Sequence, residues 1–109
     1  MSKVLDELYS VVLSRKDKGD EGSYTAYLFE QGLDKILKKC GEEASEVIIA
    51  AKNGDEAALV GEIGDLVYHL MVLMVQSGIS LETLYALLEE RRAKVGNLKP
   101  MHAATTYRE

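Results

Sequence analysis

Residues 33–77, LDKILKKCGEEASEVIIAAKNGDEAALVGEIGDLVYHLMVLMVQS, decide the fold. Apolar side chains recur there every three or four residues, which is the spacing of one face of an α-helix. Asn53-Gly54 accepts positive φ and ends a first helix at about 33–53, and Asp55 can cap a second helix at 55–77. Helices joined so closely pack antiparallel, so the stretch predicts an αα-hairpin. The apolar positions are Ile36, Cys40, Ala44, Val47 and Ala51, then Leu59, Ile63, Leu66, Leu70 and Leu73.

Shorter helical patterns flank the hairpin on both sides. Ser2 is predicted to cap a first helix that stops between Lys16 and Gly22. Ser23 is predicted to cap a helix at 24–30, and Ser80 a helix at 81–94. No alternation typical of strands competes with these patterns. We therefore predict an all-α helical bundle, built on the hairpin with flanking N- and C-terminal helices. Residues 1–96 form its single domain, and residues 97–109, with Pro100, form an irregular tail.

Composition excludes several classes of protein. The chain has 109 residues, enough for one domain, and 18 acidic against 13 basic side chains. An acidic chain lacks the cationic footprint of a nucleic-acid binder, so we expect no nucleic-acid partner. No signal-peptide pattern or uninterrupted apolar span is visible, so we expect a cytoplasmic protein that does not enter a membrane. The single Cys40 cannot form an intramolecular disulfide and is expected to be a small buried side chain.

Five acidic residues stand in two blocks of the hairpin, Glu42-Glu43-Ala-Ser-Glu46 and Glu62-Ile-Gly-Asp65. Without these five, the chain has 13 acids and 13 bases, so its net negative charge is local. Counted from Gly54, Glu46 and Glu62 are each eight residues away, and Glu43 and Asp65 are each eleven away. Antiparallel pairing therefore predicts that the two pairs lie level with each other.

Four carboxylates around one space are tolerated if a cation binds between them. Oxygen ligands favour Mg²⁺ or Mn²⁺ over zinc. We expect the apolar residues around the blocks to be core, with Gly61, Gly64 and Ala44 leaving room between the helices. The alternative is a solvated acidic face, in which Lys39 pairs with Glu43 four residues later.

A carboxylate-bound magnesium usually completes its coordination with substrate phosphates, so the blocks suggest polyphosphate chemistry and leave a small phosphorylated ligand possible. Basic side chains should then be close. The candidates, whose alternative role is surface charge, are Lys35, Lys38 and Lys39 before Glu42, and Arg91 and Arg92 on the last helix. His69 lies one turn after Asp65 and could orient a carboxylate or meet substrate, although a hydrogen-bonded core histidine is the more common role. No Walker loop is present.

The acidic spacing resembles the magnesium motif of all-α nucleotide pyrophosphohydrolases, the MazG-like superfamily. Within it, the chain is similar to the phosphoribosyl-ATP pyrophosphohydrolase family over nearly its whole length, from Leu5 to Arg92. Cys40 departs from this pattern, since the family commonly has an aliphatic residue there. The segments that carry the resemblance are GSYTA at 22–26, LF at 28–29, GLDKI at 32–36, KKCGEEASEV at 38–47, AAK at 50–52 and EIGDLVYHL at 62–70.

The resemblance implies Mg²⁺-dependent hydrolysis of phosphoribosyl-ATP to phosphoribosyl-AMP and diphosphate, the second step of histidine biosynthesis. It also implies a bundle completed by dimerisation, in a homodimer or a higher homo-oligomer. By motif position, the expected metal ligands are Glu43, Glu46, Glu62 and Asp65, and Glu42 is expected to help hold metal or orient the attacking water. The expected substrate contacts are Lys38 and Lys39 to phosphates, with Ser23, Tyr24, Thr25, His69 and Arg91. Two alternatives remain at this point: a house-cleaning nucleoside triphosphate pyrophosphohydrolase, or a helical metal-binding or interaction module without turnover.

Overall fold

The computed structural model describes residues 3–17 and 22–95, and these residues form five α-helices without a β-strand. The all-α prediction is confirmed. The helices are α1 (Lys3–Asp17), α2 (Tyr24–Gln31), α3 (Leu33–Asn53), α4 (Glu56–Gln76) and α5 (Leu81–Val95). The predicted cap Ser2 and the predicted tail 97–109 lie outside the described residues.

The hairpin of α3 and α4 forms where the sequence predicts it. Gly54 adopts the left-handed conformation, with φ 71° and ψ 21°, and its N–H donates to the carbonyl of Ala51. The carboxylate of Asp55 accepts a hydrogen bond from the Ala58 N–H at 3.1 Å and so caps α4. Each helix has 21 residues, a length of about 31 Å at 1.5 Å per residue. The hairpin is therefore the longest unit of the fold.

Hydroxyl caps also start α2 and α5 as predicted. The Ser23 hydroxyl accepts from the Ala26 N–H at 3.1 Å, and the Ser80 hydroxyl accepts from the Thr83 N–H at 3.2 Å. Between α2 and α3 the chain turns at Gly32, whose φ of 94° favours glycine. These local signals set the helix boundaries, because capping depends on residues that are near each other in sequence.

The hydrophobic core lies at the open end of the hairpin. Ile36 and Val72 are fully buried, and they stand 18 residues before and 18 residues after Gly54. Helices α1 and α2 complete this core with Val12 and Leu28, while Val75 of α4 adds one further side chain. The last helix is tied to α1 by a hydrogen bond from the Tyr85 hydroxyl to Asp6 at 3.0 Å. Residues 51–58, at the turn of the hairpin, are all exposed within the described part of the chain.

The predicted burial of the apolar residues around the acidic blocks is correct only in part: Ala44, Val47 and Leu66 are partly buried, whereas other positions are exposed. Ile48 and Val60 are each 64% exposed, and Ile63 and Leu70 of the predicted core face are 44% and 42% exposed. The core of α4 uses other positions, namely His69, Met71, Val72 and Val75. The reason is that α1 and α2 cover only the open end, and their arrangement is not encoded in the periodicity of α4.

The expectation that glycines make room between the hairpin helices is also wrong. Gly61 and Gly64 are exposed, and a Cβ added at either position would meet no atom within 4 Å. In this single chain, both positions could hold a larger residue without a clash.

By length and composition alone, α4 could also cross a membrane, a test that core helices of soluble proteins pass as well. Glu62 and Asp65 lie within it, and α4 contacts α1, α2 and α3. Packing against these helices therefore accounts for part of its apolar character, while other apolar side chains of α4 remain exposed.

Candidate active site

Three of the five predicted carboxylates converge between α3 and α4. Glu43, Glu62 and Asp65 each offer a carboxylate oxygen within 4.8 Å of the other two. Glu43 and Glu62 are partly buried, and Asp65 is exposed. The level pairing of Glu43 with Asp65 across the hairpin is thus present. We refer to Glu43, Glu62 and Asp65 as the carboxylate cluster.

The pKa of Glu62 is changed by its burial and by the neighbouring carboxylates. Its pKa is raised above the ordinary value, first by burial and then by the negative charges of Glu46, Asp65 and Glu43, with a hydrogen bond to Glu43 adding to the effect. Glu46 is exposed and lies outside the carboxylate cluster, although its charge acts on Glu62. Like charges held this closely favour either a proton or a cation between them.

Lys39 neutralises one edge of the cluster. Its ammonium group lies 3.1 Å from the carboxylate of Glu42 and 3.7 Å from that of Glu43. The hydrogen bond between Lys39 and Glu42 raises the pKa of the lysine and lowers that of the glutamate. The predicted i,i+4 ion pair and the clustering of acids therefore occur together. Glu42 is the exposed member of this arrangement and does not join the carboxylate cluster.

His69 is buried directly behind the cluster and makes two hydrogen bonds. It is 5% exposed, its Nδ1 lies 2.7 Å from the carbonyl oxygen of Asp65, and its Nε2 lies 2.9 Å from the hydroxyl of Tyr24. This geometry is that of a buried, hydrogen-bonded core histidine, rather than that of a histidine whose ring nitrogens are open to a substrate.

The other predicted α2 residues already have partners within the protein. The Ser23 hydroxyl caps α2, and the Thr25 hydroxyl forms a short hydrogen bond with the hydroxyl of Tyr68. Burial raises the pKa of Tyr68, and the bond to Thr25 partly offsets that rise. Of the three consecutive residues, Tyr24 presents the most open surface, with 45% of its area exposed.

Arg91 and Lys38 are both exposed, and within the described residues neither forms an ion pair with the carboxylate cluster, whose ion-pair partner is Lys39. Lys38 is nevertheless close enough for its charge to help lower the pKa of Glu42. Arg91 lies on α5, which is tied to α1 through Tyr85. In a single chain, the structure brings Lys38 to the edge of the site and provides no link from the site to Arg91.

Residues 5–92 match the family described as phosphoribosyl-ATP pyrophosphohydrolase. The chain belongs to the phosphoribosyl-ATP pyrophosphohydrolase family. The resemblance seen in its motifs is therefore confirmed, and the chain is a hydrolase of this family.

Relatives from several bacteria agree with this assignment to the phosphoribosyl-ATP pyrophosphohydrolases. A phosphoribosyl-ATP pyrophosphatase of Clostridium botulinum strain Kyoto is 60% identical over 98 residues, which cover 90% of this chain and 89% of the relative. One of Pelotomaculum thermopropionicum is 62% identical, covering 84% and 93%. A histidine biosynthesis bifunctional protein HisIE of Thermoanaerobacter pseudethanolicus is 62% identical over 77% of this chain and 39% of its own length.

Sequence reasoning missed the aromatic cluster that encloses His69 in this member of the family. The ring of Tyr24 stacks on those of Tyr27 and Tyr68, with centroids 6.2 Å apart in both cases, and meets His69 edge-on at 5.7 Å. Lys35 lies over the Tyr27 ring at 5.7 Å. No spacing rule joins Tyr24 to His69, since 45 residues separate them; only the packing of α2 on α4 brings them together.

Proposed function

We propose that this chain hydrolyses 1-(5-phosphoribosyl)-ATP to 1-(5-phosphoribosyl)-AMP and diphosphate with Mg²⁺ as cofactor, as the second step of histidine biosynthesis. The observation that carries the proposal is the carboxylate cluster, three acids within 4.8 Å of one another in a chain of this family. The names of the relatives, phosphoribosyl-ATP pyrophosphatase and histidine biosynthesis bifunctional protein, support the substrate and the pathway.

The donor set of the cluster fits a hard divalent cation. All of its donors are carboxylate oxygens, the ligands that Mg²⁺ and Mn²⁺ prefer. The pKa of Glu62 is raised first by burial and then by repulsion from the neighbouring carboxylates, and a bound cation would relieve that repulsion. Glu43, Glu62 and Asp65 would hold the ion, and Glu46 would join them. When bound, magnesium neutralises phosphate oxygens and lowers the pKa of a coordinated water.

The surrounding side chains suggest how the protein handles a polyphosphate. The exposed ammonium group of Lys38 is available to attract phosphate oxygens at the edge of the cluster. Lys39 holds Glu42 and Glu43 in place through its two ion pairs, so its first role is to fix the carboxylates. Glu42 is exposed and is held in place by Lys39. It is therefore suited to orient an attacking water or to accept a proton from it.

Replacing Asp65 with Asn tests the proposed function. The variant removes one ligand charge without changing side-chain shape, and we expect diphosphate release to fall by about 100- to 1000-fold, as for loss of one group that stabilises transition-state charge. Asp55→Asn is the matched control, because Asn caps a helix as well as Asp and this residue lies at the hairpin turn. Diphosphate release is measured on phosphoribosyl-ATP with and without Mg²⁺.

Three results would reject this function. If the Asp65→Asn protein kept wild-type turnover, the carboxylate cluster would have no part in the reaction. If the wild-type chain hydrolysed ordinary nucleoside triphosphates as fast as phosphoribosyl-ATP, or faster, phosphoribosyl-ATP would be rejected as the substrate. The proposed hydrolysis to a monophosphate and diphosphate would then still stand. A chain that leaves every nucleotide intact would be a binding module.

We also propose that the chain acts as a homodimer that covers the exposed apolar surface of the hairpin. Val60, Ile63, Val67 and Leu70 follow one another at three- and four-residue intervals along α4, and between 36% and 64% of each is exposed. Soluble monomers rarely leave contiguous apolar surfaces of this kind open. A second copy of the chain would present the same residues, as a symmetric interface requires.

A second exposed stripe runs along α3. Leu33, Leu37 and Ile48 are 45%, 45% and 64% exposed, and separations of four and eleven residues place them on one face of the helix. Ile48 is six residues before Gly54 and Val60 six residues after it, so the stripes on the two helices reach the same level of the hairpin. A bundle completed by a partner hairpin would bury both stripes.

A further inference from the structure

Both ring nitrogens of His69 are used inside the protein. The carbonyl oxygen of Asp65 can only accept a hydrogen bond, so Nδ1, at 2.7 Å from it, must carry the proton and donate. In a neutral imidazole, Nε2 is then the acceptor, and the Tyr24 hydroxyl at 2.9 Å donates to it. The ring is 5% exposed, so neither nitrogen remains for a substrate.

The two ends of this hydrogen-bonded chain lie at the proposed active site. Asp65 belongs to the carboxylate cluster. Tyr24 belongs to α2, and its hydroxyl is close enough to Lys39 and Glu43 that their charges act on it. His69 therefore connects the backbone of one cluster residue with a side chain that stands beside another.

Packing holds the imidazole ring in this orientation. The Tyr24 and Tyr68 rings meet it edge-on, with centroids at 5.7 Å and 4.8 Å and interplanar angles of 75° and 82°. The Tyr68 hydroxyl is itself bonded to Thr25, the residue after Tyr24. The first turn of α2 is thus attached to α4 by two neighbouring hydrogen bonds, which gives the His69 ring little freedom to rotate.

We infer that His69 is a positioning residue that does not touch the substrate: its Nδ1–H tautomer, fixed by the Asp65 carbonyl, holds the Tyr24 hydroxyl and with it the exposed Tyr24 ring at the edge of the carboxylate cluster. The role assigned to Tyr24, contact with the bound nucleotide, rests on the proposed function. The tautomer and the hydrogen bond do not depend on it.

A double-mutant cycle between Tyr24 and His69, with the rest of the chain unchanged, tests the inference. Tyr24→Phe removes only the hydroxyl. His69→Asn keeps an amide donor near the position of Nδ1 and is too short to reach Tyr24, whereas His69→Gln places an amide oxygen near the position of Nε2. We expect Tyr24→Phe and His69→Asn each to raise KM for phosphoribosyl-ATP about 2- to 10-fold, the effect of one lost neutral hydrogen bond, with kcat little changed.

The double variant Tyr24→Phe with His69→Asn should be no worse than either single variant, because both changes remove the same bond. His69→Gln should recover most of the wild-type KM. Additive effects of the two single changes, or a fall in kcat without a rise in KM for His69→Asn, would overturn the inference.

Nitrogen-15 NMR of the neutral imidazole provides a readout that needs no enzymatic activity. We expect a protonated Nδ1 and an unprotonated Nε2, and a shift of the Nε2 resonance alone in Tyr24→Phe. Tyr27→Phe is the matched control and should leave that resonance unchanged, because Tyr27 stacks on Tyr24 and has no hydrogen bond to His69.

A ring protonated at Nε2 overturns the inference even if the wild-type chain hydrolyses phosphoribosyl-ATP. A wild-type chain that releases no diphosphate overturns the proposed function instead, and the NMR result then decides the inference alone.

Discussion

Ile48→Glu separates the stability of one chain from its association with a second. Ile48 lies on α3, where 64% of its surface is exposed in the single chain. Substitutions at such positions usually change the free energy of unfolding by no more than about 0.5 kcal/mol. Glutamate also has a higher helix propensity than isoleucine, so α3 should be retained. In the proposed homodimer, by contrast, the same side chain is covered by the partner.

The expected loss of affinity follows from the area that remains to be buried. Full burial of an isoleucine side chain contributes about 1.5–3 kcal/mol, and the fraction still exposed is 64%. Its burial by a partner is therefore worth about 1–2 kcal/mol per chain. A two-fold interface contains the residue twice, which gives about 2–4 kcal/mol, or about a 30- to 700-fold higher dissociation constant. Desolvation of the two carboxylates adds to this loss.

Sedimentation equilibrium over a concentration series measures the dissociation constant, and circular dichroism with thermal unfolding measures the fold. Val4→Glu is the matched control, since Val4 is 73% exposed and lies on α1, outside the two exposed stripes of the hairpin. We expect only the Ile48 variant to dissociate more readily. The reasoning is refuted if Ile48→Glu has the wild-type dissociation constant, or if the wild-type chain is monomeric at every concentration.

Three further predictions concern the cluster, the core and a cap. With metal chelated, Glu62→Gln should raise the melting temperature at pH 7, because the raised pKa of Glu62 means that its charged form is disfavoured in the folded chain. The gain in melting temperature should shrink as the pH is lowered through the raised pKa of Glu62. A lower melting temperature of the variant at pH 7 would contradict this prediction. Ile36→Ala should cost about 2–5 kcal/mol in urea unfolding, because Ile36 is completely buried. Ser23→Ala should cost about 1 kcal/mol by the same measurement, whereas Ser23→Asn, which can still cap α2, should not.

The helices and their ends could be predicted from the sequence because their determinants are local. The left-handed Gly54 and the cap Asp55 stand next to each other, and they end one helix and begin the next through bonds to residues within one turn. Ser23 and Ser80 act in the same way. Such signals need no knowledge of the rest of the chain.

The distribution of burial could not be predicted in the same way. The periodicity of α4 marks Ile63 and Leu70 as core positions, yet both are more than two-fifths exposed, while Met71 and His69 are buried. An apolar side chain satisfies the same pattern whether its own chain or a partner covers it. Which of the two occurs depends on where α1 and α2 pack, and that is a tertiary property.

Counting residues from the hairpin turn was enough to place Glu43 and Asp65 opposite each other, because two helices joined by a tight turn have a fixed register. The sequence thus determined the helices, the hairpin and the level at which its acids meet. The tertiary structure decided which acids converge, leaving Glu46 outside the carboxylate cluster, and it decided the hydrogen-bond partners of His69. Tyr24 and His69 are 45 residues apart, and the bond between them exists only because α2 packs against α4. Long-range contacts of this kind depend on side-chain directions and helix packing that no local pattern specifies.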